Sequence, residues 1–244
     1  MKYGTTIAFA TLLVLASCRH ATTNQPEEKT AEKPAKTAEA KRNIIKKHIS
    51  IPSDFSYITN LGSVDIVYTQ GNYSVDVEGD SVMLEYLETN FDCNLLTVSI
   101  KSDSNTDINF YGNVSHVKMY VSCPDLKCVS ICGNGSFESE ATWSTDDLQL
   151  GVMGSGFMKI GKVECTTFSL QSTNVGNTSI SELHAEDATI YANSSASIDV
   201  DMDVKNLTLV NEGTQPIKLT GMATNVFIKN PKDPHLTNEL EKRL

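Results

Sequence analysis

One spacing constrains this chain more than any other. Small residues two apart, followed by two inward-facing residues two apart, return about every 20 positions. The pattern stands as Gly133-x-Gly135-x-Phe137-x-Ser139, then Gly154-x-Gly156-x-Met158-x-Ile160. It recurs as Asn174-x-Gly176-x-Thr178-x-Ile180, Ser194-x-Ala196-x-Ile198-x-Val200 and, more loosely, Gly213-x-Gln215-x-Ile217-x-Leu219. The steps are 21, 20, 20 and 19 residues. Each copy follows another alternating pair: Val129/Ile131, Leu150/Val152, Phe168/Leu170, Ala188/Ile190 and Leu207/Leu209. A sixth copy, Asn60-x-Gly62-x-Val64-x-Ile66, lies far upstream.

A strand sends alternate side chains to opposite faces. Two short strands joined by a tight corner therefore make one coil of about 20 residues, and stacked coils share one apolar interior. Positive φ or small side chains suit such a corner, and Gly and Asn supply both at low cost. A phosphate cradle is the rival reading of Gly154-Ser155-Gly156, but it needs a helix after the glycines. Phe157, Met158, Lys159 and Ile160 continue as strand instead. Each coil buries four or five apolar side chains at about 1.5–3 kcal/mol each, so coils stand only in numbers. The fold class is an all-β solenoid over residues 126–230.

Residues 44–125 are also strand-rich and are expected to stack on the solenoid or cap it. "SVDIVYTQGNYSVDVEGD" predicts two alternating strands about Gln70-Gly71-Asn72, a hairpin signal. "LLTVSIK" and "HVKMYVSCPDL" predict further strands. Val82 to Thr89 has room for a turn or two of helix. The tail, 231–244, contains "LTNELEKRL", which suits a short terminal helix or a frayed end.

Residues 1–17 have the form of a secretory signal: one early Lys, an apolar run from Ile7 to Ala16, and small residues after it. The run is shorter than the roughly 20 apolar residues a spanning helix needs. Leu15-Ala16-Ser17-Cys18 resembles the bacterial lipobox. That resemblance implies cleavage before Cys18, acyl chains on it, and a membrane as partner through the lipid. Three chains at about 0.8 kcal/mol per buried CH2 would hold almost permanently. Arg19 stands where Asp often signals inner-membrane retention, so the expected place is the outer membrane, periplasmic or surface face undecided. Residues 18–43 hold no large apolar residue and predict a disordered tether.

Charge excludes two partners. The chain carries −10 overall. After residue 43 the count is 13 Lys+Arg (20−7) against 26 Asp+Glu (30−4), or −13. Such a body does not bind nucleic acid by counterion release, nor anionic headgroups by charge.

Site chemistry is sparse, and no cofactor is expected. With Cys18 lipidated, Cys93, Cys123, Cys128, Cys132 and Cys165 remain, so at least one is unpaired within the chain. Buried small hydrophobes, a disulfide and a metal site are the alternatives, and neither CxxC nor paired His supports a metal. Asp199, Asp201 and Asp203 share one face of a strand; they form a calcium ladder or a solvated outer face. Tyr111, Trp143 and Tyr191 are candidates for stacking on sugars, each also serving a structural role. Acidic-glycan cleavage calls for Arg or Lys against the substrate, and Arg19, Arg42 and Arg243 all lie outside the coils. Paired carboxylates for glycoside hydrolysis are compatible with the sequence.

The order of segments is distinctive: "FSYITNLGSVDIVYTQGNYSVDVEGD", "LLTVSIK", "VKMYVSCPDLKCVSICGNGSF", then Gly-Ser-Gly coils. Over about residues 44–230 it resembles the auto-transporter adhesin, head GIN domain family. The resemblance implies a right-handed, single-stranded β-helix-like fold on secreted or lipid-anchored envelope proteins, and no catalytic residues. Cys132, Asn134 and Gln215 depart from the small residues common at such corners. The function expected is a non-catalytic, lipid-anchored binding module for glycan or protein. The alternatives are a structural envelope lipoprotein and a glycan-active enzyme.

Overall fold

The corners recur in space as they do in sequence. The computed structural model describes residues 43–101, 117–173 and 175–242. These belong to one compact unit, Lys41–Leu244. The strands are β1 (Ile44–His48), β2 (Tyr57–Asn60), β3 (Val64–Gln70), β4 (Ser74–Asp80), β5 (Leu87–Asp92), β6 (Leu95–Ile100) and β7 (Val117–Cys123). They continue as β8 (Cys128–Ile131), β9 (Phe137–Ser144), β10 (Asp147–Val152), β11 (Met158–Ser172) and β12 (Thr178–Ala192). The last are β13 (Ile198–Asn211), β14 (Ile217–Ile228) and β15 (Leu236–Lys242). One short helix, α1 (Ser81–Glu85), fills the expected turn; the Asp80 carboxylate caps it by accepting from the Val82 N–H at 2.9 Å.

The strands wind into a β-solenoid of about six turns. Its parallel pairings repeat at the sequence period: Met158 with Thr178, Thr178 with Ile198, Ile198 with Ile217. Each coil has a first limb before the corner and a second limb after it. Inward columns run through both. Ile58, Val129, Leu150, Leu170, Ile190 and Leu209 stack in register in the first limb, all buried. Phe137, Met158, Thr178, Ile198 and Ile217 do so in the second.

The glycines are needed for room. A Cβ on Gly154 would overlap the carbonyl oxygen of Gly133, and one on Gly156 that of Gly135. The corners pack backbone on backbone between coils, at ordinary φ. Among the described glycines only Gly221 has a positive φ, +94°, and it lies against Met202 in the strand pairing. So close approach, rather than left-handed backbone, is what the corners demand. Asn174 lies outside the described residues. Asx turns help close other corners: the Gly62 N–H donates to Asn60 Oδ1 at 3.1 Å, and the Gly213 N–H to Asn211 Oδ1 at 3.1 Å. Gln215, the large residue in the last corner, is fully buried, and its Oε1 accepts from the Ser194 N–H at 3.0 Å. The side chain fills the space that a smaller residue would leave between coils.

Four expectations need correction. The stretch around Gln70-Gly71-Asn72 is not a hairpin. β7 lies between β3 and β4, parallel to one and antiparallel to the other. The local turn is real, but β3 is drawn into the parallel stack, so its antiparallel side is never offered to β4. The sixth copy does join the solenoid, shifted by two residues: Asn60 aligns with Ile131 and Ile66 with Phe137. Of the pairs preceding the corners, one step shifts likewise, and the others align as expected. Leu150 aligns with Leu170, so Phe168 stacks on Leu148 and the innermost corner positions are Val152, Ser172 and Ala192. Finally, the tail is neither helix nor frayed: β15 pairs in parallel with β14 through Leu236–Lys242.

Candidate binding face

The first limb's outer surface stands apart from the rest of the molecule. β11 to β13 largely alternate inward apolar with outward polar residues, as strands over one core must. In the first limb the outward positions form two adjacent columns. One runs from Leu95 and Tyr57 through Gln149, Ser169, Thr189 and Thr208 to Phe227, with Cys128 between Tyr57 and Gln149. The other runs from Thr97 and Thr59 through Ser130, Gly151, Gln171 and Tyr191 to Val210. No position in either column is charged. Charge lies at the margins: Asp147 and Asp187 on one side, Glu212 with Lys229 bound to it on the other, and Asp92 opposite Leu95 at the β5 end. Beside the columns, Asn206 donates to Asp187 at 2.7 Å and Asn225 to Asn206 at 2.8 Å, an amide ladder across three strands.

The second limb is the contrast. Its outward column Glu138, Lys159, Ser179, Asp199, Lys218 is mostly charged. Lys162 bridges Glu182 at 3.0 Å and Glu164 at 3.2 Å, and His184 meets Glu182 at 2.6 Å. Hydrogen bonds from His184 and then Lys162 hold the Glu182 carboxyl below its ordinary range.

The aromatic candidates separate cleanly. Trp143 is fully buried, packed with Tyr68 and Phe137 at centroid distances of 5.0 and 5.7 Å. Its Nε1–H donates to the Leu126 carbonyl at 2.9 Å. It is a core residue and cannot stack on a ligand. Tyr111, with Cys18 and the tether, lies outside the described residues. Tyr191 is on the face, its hydroxyl donating to Glu212 Oε2 at 2.8 Å. Two further aromatics share that face, Tyr57 and Phe227, with 39% and 61% of their surface exposed. Their outward register is the signal that could have found them: each lies a whole number of rungs from Gln149.

Asp199, Asp201 and Asp203 point outward along β13, and Asp201 accepts from the Thr220 hydroxyl at 2.8 Å. Successive outward positions on a strand are about 6.6 Å apart, so the three carboxylates do not converge. Among the described residues no group of three or more His, Cys, Asp or Glu is placed to hold a metal ion. The five cysteines Cys93, Cys123, Cys128, Cys132 and Cys165 are free thiols in the structure, Cys123 buried and Cys93 exposed. Burial pushes the Cys123 and Cys165 thiols up to about 12. An open groove of about 520 Å³ near the far bend is lined by Asp125, Thr145, Asp146, Glu164 and Cys165. Asp125 is engaged there by Lys127 at 3.2 Å and the Thr145 hydroxyl at 2.7 Å.

The fold defines the class, a parallel β-solenoid. The chain belongs to the family described as "putative auto-transporter adhesin, head GIN domain", whose family model matches residues 54–182, more than half the chain. Its fold is similar to the crystal structure of a "putative adhesin" from Bacteroides fragilis. The TM-score is 0.51 at 18% identity, over 82% of this chain and 94% of that one. It is similar, too, to a "putative lipid binding protein" from Parabacteroides distasonis. There the TM-score is 0.51 at 17% identity, over 82% and 92%. No curated protein matches the chain. Among the described residues no helix is long and apolar enough to cross a membrane.

Proposed function

We propose that this chain is a non-catalytic binding module of the cell envelope, held to the outer membrane by a lipid on Cys18, and that the uncharged first-limb face is its binding surface. Membership of an adhesin family supports a place at the envelope. The lipobox resemblance at Leu15-Ala16-Ser17-Cys18 supports the anchor. The observation that carries the binding role is the face itself. A body at −13 would be expected to spread charge over every solvated strand, yet two full columns across the first-limb strands have none. Surface free of charge is cheap to desolvate, and that suits contact with another molecule. Its ligand is a glycan or a protein.

Two measurements test the reading. Palmitate labelling of cells, compared with a Cys18→Ala variant, tests the anchor: label retained in the variant overturns it. A glycan and matrix-protein array probed with the wild-type chain and Thr189→Lys tests the face: binding untouched by that lysine overturns the assignment.

A further inference from the structure

The same face specifies the chemistry of what it binds, and this step rests on the binding reading above. We infer that the first-limb face takes a neutral, extended polysaccharide laid along the solenoid axis, with Tyr57, Tyr191 and Phe227 as stacking platforms. Three observations lead there.

Charge comes first. The face carries no charged side chain, while the body around it is strongly negative. An anionic polymer would meet repulsion from Asp147 and Asp187 at one margin, and the cations beside the face, Lys127 and Lys229, are already paired with Asp125 and Glu212. A cationic one would find its partners only on the rim.

Periodicity comes second. Thr, Ser and Gln hydroxyls and amides repeat at each strand, about 4.8 Å apart, over most of the face. A surface that repeats by translation is matched by a ligand that repeats, and a polysaccharide does so where a folded protein surface does not. Protein interfaces also need an apolar core patch. Here the apolar residues sit mainly at the two ends, and the middle is hydroxyl and amide.

The rings come third. Tyr57 and Phe227 occupy one column six strand steps apart, about 29 Å at 4.8 Å each. Tyr191 sits in the neighbouring column between them, its hydroxyl tied to Glu212. Two rings in one column and a third in the next give a chain of sugars an apolar platform near each end and one within. The hydroxyls and amides between them can hydrogen-bond its hydroxyl groups.

Affinity electrophoresis and pull-down of the full-length chain test this. The probes are neutral polymers (curdlan, α-mannan, chitin), anionic polymers (polygalacturonate, heparan sulfate) and fibronectin. The variants are Tyr191→Ala, Phe227→Ala and Thr189→Lys, with Ser179→Lys on the charged limb as control; all should melt near the wild type. Retention by a neutral polymer is expected. It should weaken by roughly 2- to 12-fold per ring removed. It should fall by at least about tenfold with Thr189→Lys, which forces an ammonium under the ligand. It should be unchanged by Ser179→Lys and vary by less than about twofold with salt, because no counterions are released. Binding only to anionic polymers or to fibronectin, lost in the face variants, overturns this inference and leaves the face reading intact. Binding lost in Ser179→Lys but not in the face variants overturns both. No retention on any neutral polymer overturns the inference. So does a wild-type dimer that Thr189→Lys converts to monomer, because the face would then be covered by a second copy.

Discussion

Gly154 packs so tightly against Gly133 that the structure has no room for a methyl group between them: a Cβ on Gly154 would overlap the Gly133 carbonyl oxygen. Gly151, three residues earlier, is different. A Cβ there would stand 3.3 Å from the Ser130 hydroxyl, a group that can rotate away. We expect Gly154→Ala to cost about 1–3 kcal/mol or more, because two coils must separate at the corner. Gly151→Ala should cost little. Chemical denaturation of the two variants checks this, and similar midpoints would contradict the close-approach account of the corners.

Adjacent residues on one strand should respond oppositely to the same change. Ile180 is 1% exposed within the interior column, and Ser179 is exposed beside it. Ile180→Asp places an unpaired carboxylate in the core and should unfold the domain or cost at least about 4 kcal/mol. Ser179→Asp should leave the melting temperature nearly unchanged. Circular dichroism melts of the two are the measurement.

Thiol labelling should follow burial. Cys123 is buried, with its thiol pushed up to about 12. Cys93 is exposed, and although the Asp92 carboxylate raises its thiol, solvent reaches it. Iodoacetamide at pH 8 should modify Cys93 first and reach Cys123 only on unfolding. Mass spectrometry of digests reads the order. Protection of Cys93 by a disulfide would show as failure to label without reductant.

Acid should loosen the surface ion pairs. Hydrogen bonds from His184 and Lys162 hold Glu182 below the ordinary value of 4.5, and hydrogen bonds from His48 and Ser74 hold Asp76 below 3.8. Both carboxyls titrate lower folded than unfolded. Their contribution is therefore complete above the ordinary values and is lost as pH falls through the folded ones. Both pairs are solvated, so the effect is small. The melting temperature should decline below about pH 4.5, less steeply in Glu182→Gln.

The solenoid was legible because all but the last of its corners are held to small residues or Asn. Backbone against backbone admits Gly, Ser, Ala or Asn, and inward columns admit apolar side chains, so both kinds of position mark the chain at a fixed period. Local signals misled where distant strands intervened. Gln70-Gly71-Asn72 looks like a hairpin because turn chemistry is local, whereas the insertion of β7 depends on residues some 50 positions away. Leu236 and Leu240 are four apart and suit a helix, yet both pack as strand residues against the last coil. Trp143 could not be assigned inside or outside because β9 bulges against β11 between Ile160 and Lys162, which breaks the alternation. The uncharged face was invisible for another reason. Thr, Ser and Gln on an outward face look like ordinary solvated residues until strand register shows that they line up with one another.

The uniform 20-residue offset between β11 and β12 has an evolutionary consequence. Met158 pairs with Thr178 and Ser172 with Ala192, each 20 residues on, so residues 158–177 form a cassette whose two boundaries match. Copying that cassette in tandem would keep the bridges to β9 and β12 on either side and add one row in which the two copies pair with each other. The solenoid can thus lengthen by one coil through copying a single segment, with its existing contacts kept on both sides.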